Sequence, residues 1–157
     1  MNKLMTDVWP MIEGTHGMRS GLLDTLTDAD LAFSPGGQTM PLGALLCEFG
    51  EIEHAYVESF KTFKQDFAYR NPAPGLAGHL DQIRAWYQSL DEEMKAALSA
   101  LSDDDLTKTI QRGGFAPTVD VQLEIYLQAL LIFFGKATIY LRVMNRPLPQ
   151  MIQDWIG

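Results

Sequence analysis

Apolar side chains recur every three or four residues along four stretches of the chain, and Gly, Pro and Asp residues separate the stretches. This spacing is typical of amphipathic α-helices, because residues three and four apart share one helix face. The pattern predicts helices at about residues 7–26, 41–63, 76–101 and 119–144, and a terminal turn at 151–155. No run alternates with the period of two that a confident β-strand needs, so the predicted fold class is all-α.

The predicted fourth helix is apolar on nearly all sides. One face carries apolar residues at helical spacing, and the opposite side carries Ile125, Ile132 and Ile139, each seven residues from the next. A helix that is apolar nearly all round is buried on both sides. Two explanations remain open at this point. The second side either meets a partner subunit in a homodimer or is buried within one crowded monomer.

Length, charge and cysteine content limit the class of protein. A chain of 157 residues predicts a single domain over residues 1–157. The net charge of −8 argues against a nucleic-acid partner, since binding phosphates needs clustered Lys and Arg. The longest apolar run, residues 129–134, is far shorter than the roughly 20 residues of a membrane span. With no signal-peptide pattern and only Cys47, we expect a soluble cytoplasmic protein without a membrane or nucleic-acid partner.

Four polar residues are candidates for buried chemistry. Glu13 and His16 lie on the apolar face of the first predicted helix, and Glu53 lies within the apolar stripe of the second. Buried charges are costly unless they are paired. Together with Glu48 they could form a metal site or an acid–base pair with shifted pKa values. The simpler interpretation, which we favour, is that some of them point outwards or pair with each other.

Three segments resemble the DinB/YfiT-like superfamily. Residues 26–37, Leu-Thr-Asp-Ala-Asp-Leu-Ala-Phe-Ser-Pro-Gly-Gly, are similar to the loop after that family's first helix. Residues 42–49, Leu-Gly-Ala-Leu-Leu-Cys-Glu-Phe, are similar to the start of its second helix. Gly135, the Tyr-Leu-Arg at 140–142 and the Pro-Leu-Pro at 147–149 are similar to its closing segment. The resemblance implies an up-down-down-up four-helix bundle that is often dimeric.

The resemblance also implies a metal site, which this sequence departs from. Many family members resemble metal-dependent hydrolases or thiol-dependent transferases and isomerases, with a metal held by three histidines. One histidine lies on the second helix and two lie four residues apart on the last. Those positions fall on Glu48, Ala129 and Phe133. Ala and Phe supply no lone pair, so we expect the family metal site to be absent and no cofactor to be bound.

These observations leave three hypotheses about function. The first is a DinB-like protein with a degenerate metal site, non-catalytic or metal-independent, that binds a small apolar ligand in the bundle pocket. The second is a metal-dependent hydrolase or thiol-dependent transferase with a relocated site. The third is a structural homodimer for protein interaction. Of these we favour a protein without enzymatic activity, the second hypothesis stays open, and we assign no catalytic residue. The candidates for lining a ligand pocket are Glu13, His16, Glu48, Glu53, Tyr126, Ala129 and Phe133.

Overall fold

The structure, a computed structural model, describes residues 2–156. Its helices are α1 (Trp9–Leu23), α2 (Leu42–Thr62), α3 (Leu80–Ala100), α4 (Val119–Val143) and α5 (Gln150–Ile156). Short helical turns precede or follow them at Leu4–Val8, Asp28–Ala32, Leu76–Gly78 and Asp103–Thr107. Over the described residues the only β-type pairings are two isolated bridges. The all-α prediction is therefore confirmed, and the predicted α2 and α4 end within one residue of the observed ones.

The helix directions follow the up-down-down-up order. α2 and α3 run parallel to each other, and α1 and α4 run antiparallel to them. The residue pairs that fix these directions are Leu46–Tyr87 and Lys61–Glu93 for α2 and α3, Glu13–Lys95 and Asp24–Arg84 for α1 and α3, and Ser59–Gln122 and Met40–Tyr140 for α2 and α4. A parallel pair needs a long return connection, which residues 63–79 supply. The predicted four-helix bundle is confirmed.

Two glycines of α2 set how closely its neighbours approach. A Cβ atom added to Gly43 would lie 1.8 Å from the backbone oxygen of Ala77, and one added to Gly50 would lie 2.5 Å from the ring of Trp86. Neither position has room for a larger residue unless its neighbour moves. The absence of side chains at these two glycines therefore lets α2 pack closely against α3 and against the short turn that precedes α3.

α4 is buried on one side and exposed on the other. Leu123, Leu130 and Ala137 are fully buried in the core, whereas Ile132 and Ile139 are 62% and 56% exposed. Ile125, the first residue of the second series, is half-buried against the core, whereas the other two are not covered within the monomer. Burial within a crowded monomer therefore does not explain Ile132 and Ile139. Among the described residues, α4 is also the one helix with the length and composition to cross a membrane. However, 44% of its most apolar 18-residue stretch is buried, and the core helix of a soluble protein can have the same length and composition.

Candidate functional site

Glu48, Ala129 and Phe133 line one pocket between α2 and α4. The pocket has a volume of about 240 Å³. Because residues 129 and 133 are four apart, they lie on one face of α4, opposite residue 48 of α2. The remaining lining residues are mostly apolar: Leu45, Phe49, Ile52, Tyr56, Phe67, Ile132 and Lys136. The three positions that the resemblance assigns to metal ligands therefore face a common space.

The residues present in this pocket do not fit a metal ion. The ring of Phe133 is 2% exposed and stacks on the ring of Phe49, with 4.4 Å between the ring centres. Ala129 supplies no donor atom, and Glu48 supplies one carboxylate, which lies 3.9 Å from the Lys136 ammonium. A divalent transition metal in a catalytic site ordinarily takes three protein ligands. The pocket is instead an apolar recess with one charge pair at its edge.

A second group of polar residues is buried at the centre of the bundle, where all four long helices meet. This ionic cluster consists of His16 and Arg19 from α1, Glu53 from α2, Asp91 from α3 and Tyr126 from α4. The Arg19 guanidinium donates hydrogen bonds to both carboxylates, with 2.5 Å from Nη2 to Asp91 Oδ1. His16 Nδ1 lies 2.8 Å from the same Asp91 oxygen, and its Nε2 lies 2.7 Å from the Tyr126 hydroxyl oxygen.

The helical periodicity of α1 brings two of these groups inside. Trp9, Ile12, His16, Arg19 and Leu23 follow one another at spacings of three and four residues and are all buried. The Arg19 side chain is fully covered, and its guanidinium carbon lies 4.2 Å from the centre of the Tyr87 ring. A guanidinium over an aromatic face gains cation–π attraction, which is larger away from water. Arg19 is therefore held by charge on one side and by an aromatic ring on another.

Burial and charge shift the pKa values of the cluster in different directions. Burial raises the pKa of the Glu53 carboxyl above its ordinary value, although the Arg19 and His16 charges oppose the change. Burial acts in the same direction on Asp91, but hydrogen bonding to His16 and the Arg19 charge outweigh it and lower the pKa. Burial, reinforced by the Glu53 charge, raises the pKa of the Tyr126 hydroxyl well above its ordinary value. Asp91 is thus the carboxylate that stays ionised most readily.

The cluster does not fit a metal ion while Arg19 occupies it. Donor atoms of His16, Glu53 and Asp91 lie within 4.8 Å of one another, a spacing that an ion could bridge. The guanidinium already binds both carboxylates and supplies the positive charge that an ion would bring. Substrate access is limited too, because Glu53 and Tyr126 are fully buried and only the Asp91 side chain, at 25%, is appreciably exposed. The arrangement is suited to holding four helices together.

The four polar residues that were candidates for one buried cluster lie in three separate places in the structure. His16 and Glu53 meet, with 3.7 Å between Nε2 and Oε1. The Glu13 side chain is 58% exposed and pairs with Lys95 at the surface. Glu48 lines the pocket between α2 and α4. A cluster of all four, which was the less favoured interpretation, does not form, because the buried face of α1 carries residues 12, 16 and 19 and turns position 13 outwards.

Sequence reasoning missed Arg19 and Asp91. Arg19 follows His16 by three residues, and Asp91 follows the buried Tyr87 by four, so each lies beside a core position. A charge at such a position is a weak signal, because long side chains usually bend outwards from the edge of an apolar face. Tyr126, a predicted pocket residue, lies in the ionic cluster instead.

Comparisons with known proteins agree with this architecture. A family model described as the DinB superfamily matches residues 11–131. The crystal structure of a DinB-like protein from Bacillus subtilis superposes with a TM-score of 0.67 and 14% identity, covering 84% of this chain and 88% of that one. A DinB-like protein from Bacillus cereus superposes with a TM-score of 0.70 and 19% identity, covering 88% and 93%. No curated protein matches the sequence.

Proposed function

Because this chain belongs to the DinB superfamily, we propose that it is a divergent, metal-independent member that binds a small apolar molecule without catalysis. The binding site is the pocket between α2 and α4. The observation that carries the proposal is the convergence of Glu48, Ala129 and Phe133 on that pocket. The positions that the resemblance assigns to the family's metal ligands thus line an apolar recess in which only Glu48 offers a donor atom.

The lining of the pocket defines the class of ligand. Aromatic and branched apolar side chains form its walls, and ligand sites of this composition bind mainly by excluding water. The volume of about 240 Å³ is below the usual range for drug-sized ligands, so the ligand has one or two rings or a short hydrocarbon chain. Glu48 and Lys136 lie at the edge, where they can contact a polar substituent.

Indole is a suitable probe for this pocket, and calorimetric titration measures its binding. The wild type is expected to bind with a Kd below about 1 mM, which corresponds to about 4 kcal/mol. Ala129→Phe fills the pocket from α4 and is expected to weaken binding at least tenfold. Ala96→Phe makes the same substitution at an exposed position of α3 and serves as the matched control. Absence of binding by the wild type, or equal binding by Ala129→Phe, would overturn the proposal.

The relocated-site hypothesis has less support. Two of its four residues, Glu13 and Glu48, form ion pairs away from the cluster, and Glu53 is sealed from solvent. An acid–base catalyst must come within hydrogen-bond reach of its substrate. The proposal also includes a cytoplasmic location, supported by the single thiol of Cys47, which has no cysteine within the chain to pair with.

A further inference from the structure

Two opposite charges at the edge of the α2–α4 pocket are only loosely paired. The Lys136 ammonium lies 3.9 Å from Glu48 Oε2. In the pairs that Lys61, Lys95 and Lys108 form with carboxylates, the same distance is 2.6–3.0 Å. Neither the Glu48 carboxylate nor the Lys136 ammonium forms a hydrogen bond with any residue between positions 2 and 156. Both groups therefore keep their hydrogen-bonding capacity for a ligand.

The pocket changes from charged to apolar along its length. Lys136 lies beside Glu48 at one end, and the other residues that line the pocket carry no charge. The rings of Tyr56 and Phe67 line the opposite end. Position 56 follows position 48 by eight residues, which is about 12 Å along a helix. A ligand that fits this pocket therefore has a charged end and an aromatic or apolar end.

A second recess, of about 270 Å³, adjoins the charged end of the pocket. It shares Leu45 and Lys136 with the pocket, and Gln38 and Thr39 contribute polar groups to its lining. The side chains of Glu48 and Lys136 are 42% and 54% exposed. The charged end of a ligand thus has space beside the pocket and stays in contact with water, which avoids the cost of burying a charge.

We infer that the ligand of this pocket is a free aromatic α-amino acid in its zwitterionic form, which rests on the proposed function. The aromatic side chain lies between the apolar walls, the α-carboxylate binds the Lys136 ammonium, and the α-ammonium binds the Glu48 carboxylate. Both contacts are charge-assisted hydrogen bonds, which are stronger than neutral ones. A ligand with a single charge would meet one attractive and one repulsive group. An amino acid carries both charges on one carbon, so it satisfies both groups at once.

Calorimetric titration at about pH 7 with four indole compounds tests this ligand class. L-Tryptophan carries both charges, tryptamine lacks the carboxylate, indole-3-propionate lacks the ammonium, and indole lacks both. The wild type is expected to bind L-tryptophan at least about fivefold more tightly than each of the other three, because only L-tryptophan pairs with both Glu48 and Lys136.

Two substitutions are expected to change this selectivity in opposite directions. In Lys136→Met the ligand carboxylate faces only Glu48, so tryptamine should bind more tightly than L-tryptophan. In Glu48→Gln the ligand ammonium faces only Lys136, so indole-3-propionate should bind more tightly than L-tryptophan. Lys95→Met is the matched control and keeps the wild-type order, because its side chain is 53% exposed and also pairs with a glutamate.

The results distinguish a failure of the ligand class from a failure of the proposed function. If indole binds but L-tryptophan binds no more tightly than tryptamine or indole-3-propionate, the amino-acid ligand is refuted and the apolar pocket stands. A preference for L-tryptophan that persists in Lys136→Met or in Glu48→Gln refutes it as well. If neither indole nor L-tryptophan binds to the wild type, both proposals fall. Each order of affinity is measured within one protein, so a smaller folded fraction in a variant cannot imitate the change.

Discussion

Arg19→Met is expected to destabilise the protein severely. The guanidinium is the only cation that hydrogen-bonds both Glu53 and Asp91 among the described residues, and Glu53 has no exposed surface. Removing one partner from a buried ion pair typically costs about 3–5 kcal/mol, because the remaining charge is left without compensation. The free energy of unfolding of a domain of this size is about 5–15 kcal/mol, so the substitution would remove a large share of the stability.

The stability that Arg19→Met loses should also depend on pH. Without Arg19, the pKa of Glu53, already raised by burial, rises further because its main opposing charge is gone. A carboxyl whose folded pKa is raised contributes stability below its unfolded pKa and loses that contribution as pH rises through the folded value. Asp91, whose pKa is lowered in the wild type, stabilises only above its unfolded pKa. The Glu53 effect makes the deficit of Arg19→Met larger at pH 8 than near pH 4.5, and the Asp91 effect makes it smaller again below about pH 4.

Urea unfolding at several pH values, followed by circular dichroism, measures this deficit. Arg70→Met is the control, because that side chain is 69% exposed and its loss should change stability by less than about 0.5 kcal/mol. Adding Glu53→Gln to Arg19→Met removes the stranded charge and is expected to recover part of the loss at pH 7. A deficit below about 1 kcal/mol, or one of equal size at pH 5 and pH 8, would refute the reasoning.

Two further predictions concern α2 and its pocket. Replacing Glu48, Ala129 and Phe133 together by His is expected to create a zinc site, since the three positions line one pocket, and titration with zinc measures the affinity. A folded variant without metal affinity would show that these positions are not equivalent to the family's ligands. Gly43→Ala is expected to cost at least about 2 kcal/mol in thermal or urea unfolding, because its Cβ would meet backbone at Ala77. Gly17→Ala, where no atom lies within 4 Å, should instead stabilise α1 by about 0.5–1 kcal/mol, and equal effects at the two glycines would contradict this account.

The fold was largely predictable because each long helix carries its own periodic signal. α4 was placed to within one residue at its end, since Thr118 precedes a continuous apolar pattern that stops before Pro147. The start of α3 was predicted four residues early, because Leu76–Gly78 continues the apolar spacing but forms a separate tighter turn. Local sequence cannot distinguish these two helical forms where a chain bends.

The ionic cluster was only half predictable. His16 and Glu53 were identified because each interrupts an apolar stripe, and a buried charge must find a partner. Their partners come from α1 and α3, and Asp91 lies 38 positions after Glu53 in the chain. Which charged residue meets which depends on how the helices are rotated about their axes. A rotation of α1 by one residue, about 100°, would have brought Glu13 inwards in place of Ile12.

The pocket shares α4 with the exposed apolar side of that helix, and this decides which substitutions test the pocket alone. Ile132 and Lys136 line the pocket and are also exposed to solvent, so changes at either would disturb both surfaces. Ala129 lines the pocket and is only half-exposed, whereas Glu124 is exposed and lies outside the pocket lining. Loss of indole binding in Ala129→Phe, with unchanged binding in Glu124→Arg, would therefore assign the binding to the pocket. Equal loss of binding in both variants would show that the pocket between α2 and α4 is not where indole binds.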